Sequence, residues 1–293
     1  MLLIAMCVGI TFHRFFAWFE PITPYLIFAM LFITYCKIGL KDIRFERFHF
    51  YLLAIQLLGS VAIYITLAPL NPIVAQGAMI CLLAPTATSA AVITGMLGGD
   101  VASLTAYSIL ANLGVAICGP LFFSVVGSHT GLPFFTSFFL ILRQVGPLLI
   151  LPLVFAGIIE RIAPYLHGQI RKRQSLSFYL WALALTVVIA KTISFIIDQP
   201  TSGFWVEISV GGCALAICLF QFYIGRKIAG HYHKTVTGGQ GLGQKNTVLA
   251  IWMSQSYLNP IASIGPGAYV IWQNIVNSYQ LWRRQHKSDS GSQ

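Results

Sequence analysis

The stretch Ala84-Pro-Thr-Ala-Thr-Ser-Ala-Ala-Val-Ile-Thr-Gly-Met-Leu-Gly-Gly-Asp100 constrains this chain more than any other. It lies between two long apolar runs, yet it opens on Pro, Thr and Ser and closes on Gly-Gly-Asp. A helix that enters it should break. Inside lipid, a break exposes backbone N–H and C=O groups that protein, water or ligand must satisfy. Chains that accept such a break at bilayer depth commonly do so to hold an ion or a solute.

The remainder of the sequence supports a bilayer setting. Of 293 residues, 57% are hydrophobic and only 9% charged, against roughly 25% charged in an ordinary soluble domain. A span needs about 20 mostly apolar residues, and the sequence offers ten approximate spans: 2–17, 21–36, 48–68, 72–98 (broken), 101–126, 135–159, 176–197, 204–229, 236–257 (broken) and 260–282. The expected fold class is an all-α polytopic membrane protein. Met1–Ile10 lacks a basic n-region and a small-residue cleavage site, so it reads as a first helix, one missing a few residues from its start, rather than a signal peptide. The six cysteines are scattered through apolar runs without a CxxC pair and read as small buried apolar residues.

Charge placement gives the orientation. Lys37, Lys41, Arg44 and Arg47 follow the second span, and Arg161, Arg171, Lys172 and Arg173 the sixth. Arg226, Lys227 and Lys234 follow the eighth, and Arg283, Arg284 and Lys287 the tenth. With ten spans all four clusters share one side, while the connections 68–72, 127–133, 198–203 and 257–260 hold no Lys or Arg. By the positive-inside rule both termini are cytoplasmic, in the cell inner (plasma) membrane. Arg14 is the mild exception. The +10 net charge therefore faces lipid headgroups, and nucleic acid is not an expected partner.

The same rule requires Thr235–Asn246, which looks like a soluble glycine loop, to enter the membrane as the first half of a broken ninth span. The fourth span should break near Pro85–Ala90 and the ninth near Gly238–Lys245. Their separation by five spans marks an inverted repeat, about 1–127 and 134–282, with the breaks crossing at the midplane. Two helix N-termini would meet there, favouring an anionic group.

At these stretches the sequence resembles the bile acid:sodium symporter family. The likeness rests on Ala84-Pro-Thr-Ala-Thr-Ser with Val-Ile-Thr and Gly99-Asp100, on Gly-Gln-Lys-Asn-Thr247, and on Val-Ile-Trp-Gln-Asn-Ile275, and it runs from about Trp18 to Arg283. It implies ten helices, a core of spans 3–5 and 8–10, a panel of spans 1, 2, 6 and 7, and transport of organic anions (bile acids, steroid sulfates, small carboxylates such as pantothenate), usually with sodium. Gln56 and Ser108 fall on sodium-ligand positions; Thr88, Asn246, Gln273 and Asn274 fall on substrate-lining ones. The family's Ser-Asn pair is Ala90-Ala91 here, a ligand serine is Leu104, and the glutamate and glutamine of the ninth span are Gly241 and Lys245. Shifting the match by one residue offers Gln240 in place of the glutamate, still no carboxylate.

Those replacements remove oxygen ligands and add an ammonium. Two like unit charges about 4 Å apart repel by about 4 kcal/mol at an effective dielectric near 20. The expectation is therefore a sodium-independent secondary carrier of a small or amphipathic organic anion, with no cofactor or metal. Lys245 lies ten residues past Thr235, about 15 Å in at ~1.5 Å per residue. It either snorkels to the surface or acts as an ion-coupling residue, as a tethered cation or a proton carrier. Gln56, Ser108 and Gln244 complete the ion-coupling candidates. Thr86, Thr88 and Ser89 can bind substrate or cap a half-helix; Asn112, Asn246, Gln273 and Asn274 are the other substrate candidates. Gln56 and Asn112 read equally well as interhelical glue. Arg143 and Lys191 can reach an interface, and His49 and the other histidines lie mostly in connections or at helix ends. The absence of a nucleotide-binding loop, HExxH, GxSxG or paired intramembrane Asp argues against an enzyme or ATP-driven pump. Expected partners are the organic anion and membrane lipid, with the chain a monomer or weak dimer. A carrier that retains one sodium through Gln56, Ser108 and backbone carbonyls is the alternative; a non-transporting receptor or assembly protein is the alternative of another class.

Overall fold

The computed structural model describes residues 2–36, 43–127, 133–173, 175–198 and 203–290. Lys37, Lys41 and His129 lie outside the described residues, as do 128–132 and 199–202 of two connections read as holding no Lys or Arg. The described residues are helical, without a strand: α1 (Leu2–Thr11), α2 (His13–Ala17), α3 (Thr23–Tyr35), α4 (Arg47–Leu67), α5 (Pro72–Leu83), α6 (Ala90–Met96), α7 (Val101–Val126), α8 (Phe134–Ile162), α9 (Pro164–Lys172), α10 (Ser175–Asp198), α11 (Phe204–Gly230), α12 (Thr235–Gly243), α13 (Thr247–Tyr257) and α14 (Ile264–Ser290). Five of these carry segments long and apolar enough to cross a membrane, in α4, α7, α8, α10 and α11. The protein is accordingly an all-α membrane protein.

Several boundaries depart from expectation. The first span is interrupted at Phe12 and gives α1 and α2. The connection after α8 folds into α9, started by Pro164 at its first turn and carrying Arg171 and Lys172 in its last, where cations suit the carbonyl end. The residues past 282, where the tenth span is expected to end, continue α14 as far as Ser290.

The glycine-rich stretch forms the first half of a broken helix, as expected, with its break at the C-terminal end of the expected Gly238–Lys245 range. Gly238, Gly239, Gly241 and Gly243 do not break the helix; they lie within α12, and the break falls at Gln244–Asn246. Each glycine costs about 1 kcal/mol of helix propensity relative to Ala. Close packing requires them. A Cβ on Gly238 would sit 2.2 Å from Ala229 Cβ and 2.4 Å from Gly225 O. One on Gly241 would meet the Tyr107 ring at 2.8 Å, and one on Gly243 the Phe222 ring at 2.5 Å. α12 thus lies backbone to backbone on α11 and ring to backbone on α7. With every residue from Thr237 to Gly243 buried, only a helix satisfies its own amides.

Two polar clusters fix the ends of this bundle. At one end Glu46, Asp100 and Lys234 are the N-caps of α4, α7 and α12. Lys234 Nζ pairs with Glu46 Oε1 and lies 3.0 Å from Asp100 Oδ2. Ser103 Oγ donates to Glu46 at 2.9 Å, and the Asp100 amide donates to Thr237 Oγ1 at 3.0 Å. Burial alone would raise both carboxyl pKa values. Hydrogen bonds and the Lys234 charge outweigh it and hold both below the ordinary range. Burial likewise works to lower Lys234, but its two carboxylate partners raise it. At the other end Gln76 Nε2 donates to Val126 O at 2.8 Å, and Gln76 Oε1 accepts from the Asn259 amide at 2.9 Å.

Candidate functional site

Both broken helices stop at the same place. α5 ends at Leu83 and resumes as α6 at Ala90; α12 ends at Gly243 and resumes as α13 at Thr247. The two interruptions pair as a single antiparallel bridge, Thr86 with Lys245. The Ala87 amide donates to Gln244 O and the Asn246 amide to Pro85 O, each at 2.8 Å. Each break thus satisfies backbone groups that the other exposes.

The half-helices that end here leave carbonyls without intrahelical donors, and side chains supply them. On α5, Lys245 Nζ donates to Leu82 O at 2.9 Å. Gln56 Nε2 donates to Leu83 O at 2.7 Å and Ala84 O at 3.1 Å, and Gln221 Nε2 to Cys81 O at 3.2 Å. On α12, Thr86 Oγ1 donates to Gly241 O and Tyr269 Oη to Gly243 O, both at 2.7 Å. Lys245 is 2% exposed, so it does not snorkel in this conformation. Its ammonium sits against the negative end of the α5 dipole, where a cation is stabilised. Among the described residues no carboxylate lies within 4.0 Å of it.

The predicted site residues divide into three groups. Gln56, Thr86, Ser89, Gln244, Lys245, Asn246 and Gln273 gather at the crossing. Gln273 Oε1 accepts the Lys245 amide at 2.8 Å, Gln244 Nε2 donates to Ser89 Oγ at 2.9 Å, and Asn246 Oδ1 caps the Leu249 amide at 3.3 Å. Thr88 is half-buried in the turn leading into α6. Ser108, Asn112 and Asn274 are not tied to the crossing by side-chain hydrogen bonds among the described residues. Asn112 Nδ2 donates to Ser108 O at 2.8 Å and Asn274 Nδ2 to Val270 O at 2.7 Å, each within its own helix.

Two of the candidates are engaged within the fold itself. Thr86, read as a substrate or capping group, is 1% exposed and engaged on α12, so it clasps the two halves. Gln56, read as an ion ligand or glue, has its amide on α5 and its carbonyl oxygen accepting from Tyr107 Oη at 2.8 Å, so it serves as glue. Sequence reasoning missed Gln221, Tyr107 and Tyr269. Gln221 carried a usable signal, as an amide in an apolar run like Gln56; the tyrosines carried none. It also missed that His49 is fully buried, with Nε2 3.0 Å from Ser103 Oγ and Nδ1 accepting the Glu46 amide at 3.1 Å.

Buried polar atoms beside the clasp remain without a protein partner: Gln244 Oε1, Asn246 Nδ2 and Thr247 Oγ1. Natural cores rarely leave such atoms unmet, and three of them fall within four residues here. No family model matches the sequence, and a search of the curated proteins finds no match.

Proposed function

We propose that this chain is a secondary carrier that moves a small or amphipathic organic anion by alternating access, with Lys245 in place of a coupling sodium ion. The observation that carries this reading is the Lys245 ammonium, buried and 2.9 Å from Leu82 O at the end of a broken helix. That is where a bound cation would gain most from backbone carbonyls, and here a tethered one takes the position. The neighbouring carbonyls of α5 already have donors in Gln56 and Gln221.

In this reading the chain makes ten spans in two inverted five-helix repeats, with both termini on the cytoplasmic side of the inner membrane. The antiparallel Thr86–Lys245 bridge supports it, because such a pair is locally two-fold. The gathering of Glu46, Asp100 and Lys234 at one end also fits the expected alternation of helix direction. The core of α4–α7 and α11–α14 moves against a panel of α1–α3, α8 and α10, and the anion takes the unmet donors of Asn246 and Thr247, with Thr88 as a further candidate. Those unmet atoms favour a carrier over a static receptor, since a core with nothing to bind gains by pairing them.

The test needs no known solute. The protein's melting temperature is compared in sodium, potassium and choline chloride at matched ionic strength. Equal melting in all three is expected. A rise specific to sodium would reveal a sodium site by mass action and restore ordinary symport. Uptake of a panel of organic acids into proteoliposomes then checks transport directly, and absence of uptake for every acid would favour the receptor reading.

A further inference from the structure

On the far side of Phe222 from Gly243, α11 and α14 border an apolar groove of about 340 Å³, lined by Leu219, Phe222, Tyr223, Arg226, Ile275 and Tyr279. Leu219, Tyr223, Ile275 and Tyr279 are all exposed. Arg226 is half-buried, and its stem is held in place: a Cβ on Gly239 would stand 2.5 Å from Arg226 Cγ. Arg283, four residues past Tyr279 on α14, shares the helix face that Tyr279 turns to the groove. Among the described residues neither arginine is seen in an ion pair.

Two arginines on the facing helices of an apolar groove, neither in an ion pair among the described residues, suit a ligand with a hard anion at one end and hydrocarbon at the other. Guanidinium matches phosphate oxygens with paired N–H donors. Tyr279 and Trp282, stacked with centroids 6.1 Å apart, stand beside the arginines as aromatic groups do at a membrane interface. Basic pockets between membrane helices are suited to anionic lipid headgroups.

We propose that this groove binds an anionic glycerophospholipid, its phosphate bridging Arg226 and Arg283 and an acyl chain lying along α11 and α14. The site reaches the crossing through α12. Arg226 covers Gly239, and Gln280, which also borders the groove, accepts from Gln240 Nε2 at 3.1 Å. The lipid therefore braces the half-helix that carries Lys245.

The experiment uses the full chain, delipidated in a neutral detergent. Bound lipid is counted by native mass spectrometry, and melting is followed with added phosphatidylglycerol, phosphatidylcholine or inorganic phosphate. Phosphatidylglycerol should be retained and raise the melting temperature; phosphatidylcholine and phosphate should do neither. Arg283→Gln, at an exposed position, should weaken retention by about fivefold, and Arg226→Gln with Arg283→Gln by more, whereas Lys227→Gln should leave it unchanged. Equal retention of both lipids, or retention unchanged in Arg283→Gln and in the double variant, overturns the proposal. A rise produced by inorganic phosphate alone reduces the site to a free-anion site and overturns the lipid assignment.

Discussion

The two broken helices solve one problem with opposite chemistry. Between α5 and α6 the chain departs from helix for Ala84–Ser89, rich in Pro, Thr and Ser, and its hydroxyl groups reach across the gap. Between α12 and α13 only Gln244, Lys245 and Asn246 leave the helix, and they do so with large polar side chains. The glycines just before them serve another purpose, letting α12 lie directly on α11. A break is therefore not the same as a run of poor helix formers. What breaks a buried helix is an alternative set of partners for its amides, and here each interruption supplies the other's.

If that distinction is right, the largest effect comes from filling a glycine in α12. Gly238→Leu should abolish folding, because its Cβ alone would overlap Ala229 and the Gly225 carbonyl. Such overpacking costs about 1–3 kcal/mol or more. Loss of the monodisperse peak in size-exclusion chromatography is the readout, and a normal peak would show that α12 can move off α11.

Lys245→Met should come next. It leaves Leu82 O without its donor at about 1–3 kcal/mol, lowers the melting temperature, and abolishes uptake while the protein still reaches the membrane. Unchanged uptake would break the reading of Lys245 as the ion's replacement.

A smaller effect is expected at the Lys234 cluster. Because the Glu46 and Asp100 pKa values are lowered on folding, their stabilisation is complete above the ordinary carboxylate values. It is lost as pH falls through the folded ones. The raised Lys234 contributes below its ordinary value and stops contributing at high pH. Stability measured across the acid range should fall below about pH 4, and Glu46→Gln should flatten that fall at a cost of about 1 kcal/mol, as fits a partly exposed pair. An unaltered acid limb would mean that other carboxylates control it.

The smallest effect belongs to Gly212 in α11, where an added Cβ meets nothing within 4 Å. Gly212→Ala should leave the melting temperature unchanged or raise it slightly, the gain being about 0.5–1 kcal/mol of helix propensity. Set beside Gly238→Leu, it separates a glycine required by packing from one that is not.

The membrane class was legible in the apolar runs, and the first break was legible in Pro85, Thr86, Thr88 and Ser89. Both followed from local chemistry. Lys245 stood out as well, since a cation within an apolar, glycine-rich run is conspicuous wherever its side chain ends. Other features had no local signature. That Gly238–Gly243 stay helical depends on Gly225, Ala229 and Phe222, residues at least nine positions away whose closeness only the fold creates. That Thr86 clasps Gly241 and Gln56 caps Leu83 depends on which of many carbonyls the tertiary packing leaves bare. The Lys234–Glu46–Asp100 cluster joins Lys234 to carboxylates 188 and 134 residues earlier in sequence. The sequence thus determined where the chain prefers lipid to water and where one helix has to stop. The tertiary structure decided which backbone groups were left unpaired, and therefore which side chains had to meet them.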